Sequence, residues 1–286
     1  RKESSAASDV YKRQGGRREV RGPGREVKAV TQTQRGGVAA LIAAGLAVLL
    51  LAACSARTDA GAPVTASSTA NARIPAEFDT TFRWVPGQVF DLGGSEGTFV
   101  RAFVESFELA NAGRSVTWGY PGFADAAPSN IDQMVTAYPS AVSAQRPGVG
   151  TVFFTGLRRV DDGERTRIVL CRYGYRSIRE NDATWSSTLD EVRPVEIDIR
   201  RVGATPPAGM HGTQRTPDGD VFGGWYVSRF DFAAIYPTPT ADENACAAST
   251  PEGLVRRTPT HGHAPWPVMA PSPGWSVSYT HLRAHE

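Results

Sequence analysis

The chain has 286 residues, 41% of them hydrophobic and 21% charged, which leaves room for one domain with a substantial core. Its formal net charge of +2 misleads, because residues 54–276 hold 20 Arg and no Lys against 24 Asp plus Glu, a formal −4. The basic excess sits in the upstream leader and at the ends, and this removes the electrostatic case for a nucleic-acid partner.

Taken in chain order, the sequence begins Arg1-Lys2 and has no methionine before Met134, so the numbered start is expected not to be the biological one. Residues 5–14 (SAASDVYKRQ) and 277–286 (VSYTHLRAHE) resemble peptides translated from sequencing-adapter DNA, and neither is expected to carry function. Residues 1–34 are read as an artefactual or cytoplasmic basic leader. An uncharged run follows from Gly36 to Cys54, with a 16-residue apolar stretch over 38–53. That length suits the apolar region of a signal peptide, placed at 35–53, and falls short of the roughly 20 residues a spanning helix needs. Basic residues upstream, among them Arg25, Lys28 and Arg35, hold that side in the cytoplasm.

The run ends Leu51-Ala52-Ala53-Cys54-Ser55, which resembles the bacterial lipobox. Small side chains let a peptidase approach the backbone, and a thiolate is the nucleophile that takes up lipid. The resemblance implies that Cys54 carries diacylglycerol with palmitate-type chains and becomes the first residue after cleavage. The implied partner is then the membrane, reached through a lipid anchor on its extracytoplasmic face. The competing reading is a short uncleaved anchor with an incidental cysteine. Arginine used to the exclusion of lysine, with abundant Ala, Gly and Pro, suits a GC-rich genome, and on these features the chain resembles actinobacterial cell-envelope lipoproteins.

Residues 54–75 are small and polar without hydrophobic period, which reads as a flexible tether. The globular part is expected over 76–250. Within it, Phe99, Val100, Phe103, Val104, Phe107 and Ala110 recur at helical spacing, predicting an amphipathic helix from Ser95 to about Ala112. Ser95 is the expected N-cap, Glu96 falls in the favourable first turn, and Gly113 is the expected left-handed stop. A shorter helix is predicted to start at Ser129 or Asn130 and to stop at Pro139.

Strands are predicted over Gly150–Val160 and Arg165–Ile178, joined as a hairpin through Asp161-Asp162-Gly163-Glu164. Alternation around Val195, Ile197 and Ile199 predicts a strand with one wet face, and Val221–Phe232 is the last strand region. Residues 251–286, rich in proline, are expected to be a disordered tail. Cys171 and Cys246 are the remaining pair in a chain bound for an oxidising compartment, which predicts a disulfide; the alternative is a buried Cys171 and a free Cys246.

Together these elements predict an α+β fold, with N-terminal amphipathic helices packed on a curved antiparallel sheet, preceded by a signal peptide and a flexible tether. Their order resembles the cone-shaped cystatin-like architecture of ketosteroid isomerase and the nuclear-transport-factor-two-like proteins. In those enzymes a pocket carboxylate acts beside a tyrosine; Asp132 and Tyr138 could be cast so, although no motif supports carrying the roles over.

No Gly-x-Ser-x-Gly elbow, P-loop, zincin helix or dinucleotide fingerprint occurs downstream of Cys54. No catalytic residue, metal site or cofactor is therefore assigned. His261-Gly262-His263 reads as a solvated pair, with a metal site as the sharper alternative. The pocket candidates are Trp118, Tyr120, Phe123 and Tyr138 near the helices and Tyr173 and Tyr175 on the sheet, against the plainer readings of an aromatic plug and ordinary cross-strand pairing. The expected function is a non-catalytic domain that binds a small ligand or an envelope protein. The alternatives are a small-pocket isomerase or hydrolase, and an accessory subunit of an envelope complex.

Overall fold

The computed structural model describes residues 74–75, 77–137, 148–232, 240–249 and 258–276. All of these fall in the second of two compact units, residues 59–286. Cys54, the segment expected to be an export signal, most of the expected tether, Tyr138 and residues 277–286 lie outside the described residues.

Strand β1 (Asp79–Val85) leads into α1 (Ser95–Gly113), a short 3-10 turn (Val116–Trp118), α2 (Phe123–Ala126) and α3 (Ile131–Ala137). The sheet then continues through β2 (Gly148–Asp161), β3 (Thr166–Asn181), β4 (Thr184–Leu189), β5 (Arg193–Arg200) and β6 (Tyr226–Asp231). Helix α4 (Ala241–Ala248) and β7 (Thr260–Gly262) follow. The α+β expectation holds, with one addition: β1 runs parallel to β2, so the helical segment is a crossover between parallel neighbours in an otherwise antiparallel sheet. Only a strand upstream of the helices could produce that pairing, and its short half-buried pattern carried little period-2 signal.

Strand β3 organises the sheet. One edge pairs with β2 along its length, while the other pairs with β5 near its start and with β4 near its end. Strand β6 extends the first branch and β7 the second. The β2–β3 hairpin forms where expected: Gly163 takes φ +85° in the turn, and Asp162 Oδ1 accepts from the backbone N–H groups of Glu164 and Arg165.

The side chains of β3 separate by parity. Ile168 and Leu170 join Phe82, Phe154 and the phenylalanines of α1 in the main core, whereas Cys171, Tyr173 and Tyr175 join Phe153, Cys246 and Trp266 in a second core. The disulfide joins Cys171 to Cys246 across a Cα separation of 5.3 Å. Helix α4 is held by a capping box between Thr240 and Glu243, in which each residue satisfies the other's backbone N–H.

Helix α1 buries the expected stripe, with Phe99, Phe103 and Phe107 no more than 3% exposed; each contributes about 1.5–3 kcal/mol. Its ends differ from expectation. Gly94, not Ser95, is the N-cap, because the turn closed by Gly94 N–H on the Asp91 carbonyl makes it the half-in residue. Arg114, not Gly113, takes the left-handed conformation (φ 52°). Gly113 is needed for another reason: a Cβ there would meet the Trp118 ring at 2.1 Å.

The larger correction concerns the C-terminal stretch, expected to be disordered. Residues 258–276 belong to the fold: β7 pairs with β4, Trp266 and Trp275 are buried, and backbone bridges join Arg83 to Ser272 and Gln214 to Trp275. Prolines prevent a long regular strand here, but two buried indoles supply the apolar area that offsets the cost of ordering.

Candidate functional site

Three segments meet at the end of β1 and border an open cleft of about 440 Å³, a volume within the range of small-ligand pockets. Trp84, Phe90, Leu92 and Pro273 supply apolar wall, while Asp91 and His211 supply polar groups. Each wall is fixed from behind. The Trp84 ring stacks on Phe154 at 4.9 Å and meets Phe90 edge-on at 6.3 Å. Asp91 Oδ1 accepts the Gly93 N–H at 2.9 Å, closing the turn that starts α1.

The rims are clamped from inside the core. Arg101, on α1, donates to Met210 O at 2.7 Å and to the carbonyls of Pro273 and Gly274 at 3.0 Å each. One guanidinium therefore ties the loop carrying His211 to the segment carrying Pro273. Its face lies 4.3 Å from the centre of the Trp275 ring, a cation–π contact made stronger by burial.

Glu105, one turn further along α1, completes this cluster. It accepts from Trp84 Nε1 at 2.7 Å, from Tyr120 Oη at 2.6 Å and from Trp275 Nε1 at 2.8 Å, with Arg101 Nε 4.0 Å away. Burial pushes the Glu105 carboxyl above the usual range, opposed by Arg101 and the three donors. The indoles can only donate, so the cage favours the ionised form. Burial pushes the Tyr120 phenol well above its ordinary value, and the neighbouring Glu105 adds to that shift.

The aromatic residues singled out in the sequence do not line this cleft. Tyr120 and Phe123 are core residues and Trp118 packs against the same core, so the plug reading describes them. Tyr173 and Tyr175 lie on the opposite sheet face, in the second core. The Tyr173 hydroxyl donates to Cys246 O at 2.9 Å, and that of Tyr175 reaches Pro267 O. They form neither an open pocket nor a bare contact surface, because α4 and the C-terminal segment cover them. Asp132 is exposed, which removes it as a pocket acid beside Tyr138, itself outside the described residues.

His261 Nδ1 stands 3.5 Å from Glu180 Oε1, and His263 Nδ1 lies 3.0 Å from Ala183 O. Among the described residues no group of three or more His, Cys, Asp or Glu is placed to hold a metal ion.

Sequence reasoning missed Trp84, Phe90, Asp91, His211 and Pro273 because they sit on three segments distant in sequence. Arg101 and Glu105 left a faint signal, an i, i+4 pair of opposite charge flanking an apolar stripe, which ordinarily marks a solvated helix edge. No protein-family model, curated protein or solved structure matches this chain.

Proposed function

We propose that this chain is a cell-envelope lipoprotein, tethered by lipid on Cys54 to the extracytoplasmic face of a membrane, whose domain binds a small, largely apolar ligand in the cleft beside Trp84. The binding reading rests on one observation: a cleft of about 440 Å³ whose opposite rims are both held by the buried Arg101. A cleft fixed in this way needs little ordering when a ligand enters, and pre-organisation is where affinity is gained. The tethering reading rests on the lipobox-like Leu51-Ala52-Ala53-Cys54 and is supported by the Cys171–Cys246 disulfide, a bond that persists in oxidising compartments. Two acyl chains on one cysteine give the two anchoring signals that stable membrane attachment requires.

The two halves are tested separately. Labelled palmitate should enter the wild-type chain and its membrane fraction, and Cys54→Ala should lose both; a labelled, membrane-bound Cys54→Ala would end the anchoring proposal. For the cleft, native and denaturing masses of the exported chain are compared. A mass adduct released on denaturation and absent from Phe90→Arg supports binding there. An adduct that survives unchanged in Phe90→Arg places the ligand elsewhere.

A further inference from the structure

Among the described residues that line the cleft beside Trp84, Asp91 and His211 carry the ionisable side chains. Asp91 is exposed. Its Oδ1 accepts the Gly93 N–H and, with Glu96 in the first turn of α1, answers the positive end of that helix. No other hydrogen bond reaches the Asp91 carboxylate from the described residues, and none of them forms an ion pair with it. Oδ2 is thus an open acceptor at a solvent-accessible position.

The arginines nearest in the fold are engaged elsewhere. Arg83 alternates with Trp84 along β1 and donates to Ala270 O at 2.5 Å. Arg101, behind the rims, has Glu105 4.0 Å away and gives its Nη donors to three carbonyls. His211 is exposed, and its ring has no hydrogen-bond partner among the described residues; in the neutral form one ring nitrogen accepts. Phe90, half-buried, borders the same space. An aromatic ring is negative on its face, so a cation beside it is attracted and an anion is not.

We propose that the ligand of the cleft is an amine, with an apolar body against Phe90, Leu92 and Pro273 and one ammonium group held by Asp91 Oδ2. The proposal rests on the cleft as the binding site and names the chemistry that selects the ligand there. The ammonium donates to the open carboxylate oxygen, and the charge-assisted bond is stronger than a neutral one. The apolar body leaves water as it enters.

The test uses three probes that share one apolar body: phenethylamine, phenethyl alcohol and phenylacetate. Each is titrated into the full chain at constant ionic strength, and the Trp84 Nε1–H and Phe90 ring resonances are followed. Phenethylamine is expected to bind about tenfold tighter than the alcohol, and phenylacetate more weakly than either. Asp91→Asn keeps an acceptor for the Gly93 N–H and should bring the amine to the level of the alcohol. An amine no tighter than the alcohol overturns the proposal, as does an undiminished preference in Asp91→Asn or the absence of any response to the three probes. If alcohol and amine bind equally and Phe90→Arg abolishes both, the cleft stands and the amine falls. Binding that persists unchanged in Phe90→Arg overturns both. Should Asp91→Asn not unfold cooperatively, the parent chain decides: an amine preference that shrinks with added sodium chloride supports the charge contact, and one indifferent to salt overturns it.

Discussion

On one face of the sheet, α1 lies in a continuous core of phenylalanines, and the charges it buries, Arg101 and Glu105, are each surrounded by partners. On the other face, α4 and the segment around Trp266 cover a smaller core in which a disulfide and a few hydroxyl contacts join the cover to β3. The first face is built by a long helix that buries a stripe by its own periodicity. The second is built from short pieces, including an eight-residue helix, too short to be stable alone. Covalent attachment replaces area where the cover is small.

The first way to break this comparison is Glu105→Ala, which removes the counter-charge of the buried Arg101 and leaves two indole N–H groups and the Tyr120 hydroxyl without their carboxylate acceptor. The expected cost is about 3–5 kcal/mol, read from urea unfolding, and the rims of the cleft should loosen with it. A cost below about 1 kcal/mol would mean that the helix face is held by area alone.

Asp190→Asn tests a second buried ion pair on the same face and is expected to cost about 3 kcal/mol at neutral pH. Burial would raise the Asp190 carboxyl, but Arg172 and Arg176 outweigh it and hold the group below its ordinary value of 3.8. Because the folded value is the lower one, this stabilisation is present above pH 3.8 and is lost as pH falls through the depressed folded value. The Asn variant should therefore show a flatter acid limb in stability against pH. For Glu105 the sign is opposite: its raised folded value gives a contribution present below its ordinary 4.5 and lost as pH rises through the raised value. An unchanged acid limb in Asp190→Asn would remove Asp190 from the account.

For the second face, the double variant Cys171→Ser/Cys246→Ser opens a loop whose ends are 75 residues apart and should cost about 2–4 kcal/mol. The loss should appear first as hydrogen exchange in α4 while α1 stays protected; equal loss of protection in both helices would show that the two faces unfold as one. The smallest effect is expected from Tyr173→Phe, which removes the hydroxyl bound to Cys246 O and Ser249. Its cost should be about 1 kcal/mol in the disulfide-bonded chain. A larger loss in the reduced chain would show that hydroxyl and disulfide serve the same contact.

How much of this was legible in the sequence depended on the range of the signal. The stripe of α1, the β2–β3 hairpin and the alternation of β5 are written in residues that neighbour one another, so period and turn chemistry revealed them. The alternation of Tyr173 and Tyr175 with Arg172 and Arg176 along β3 is written in the same way, since neighbours on a strand point to opposite faces. Helix α4 and strands β1, β4 and β7 were not legible, since short elements carry too few periods to stand out. The cleft was the least legible feature: Trp84, His211 and Pro273 share it because Arg101 holds the Met210 loop to the Pro273 segment and the Trp84 N–H donates to Ser272 O.

By itself, then, the sequence determined the fold class and the face on which most residues of the long elements point, and it predicted a Cys171–Cys246 disulfide while leaving a free Cys246 open until the structure joined the two. The first two follow from local periodicity. Only the tertiary structure decided that residues 258–276 complete the domain, that a charged pair on the flank of α1 is buried, and that Arg172 joins Glu108 to Asp190. Those outcomes depend on which distant side chains arrive with matching donors and acceptors, because a charge flanking an apolar stripe reads alike whether water or Trp84 receives it.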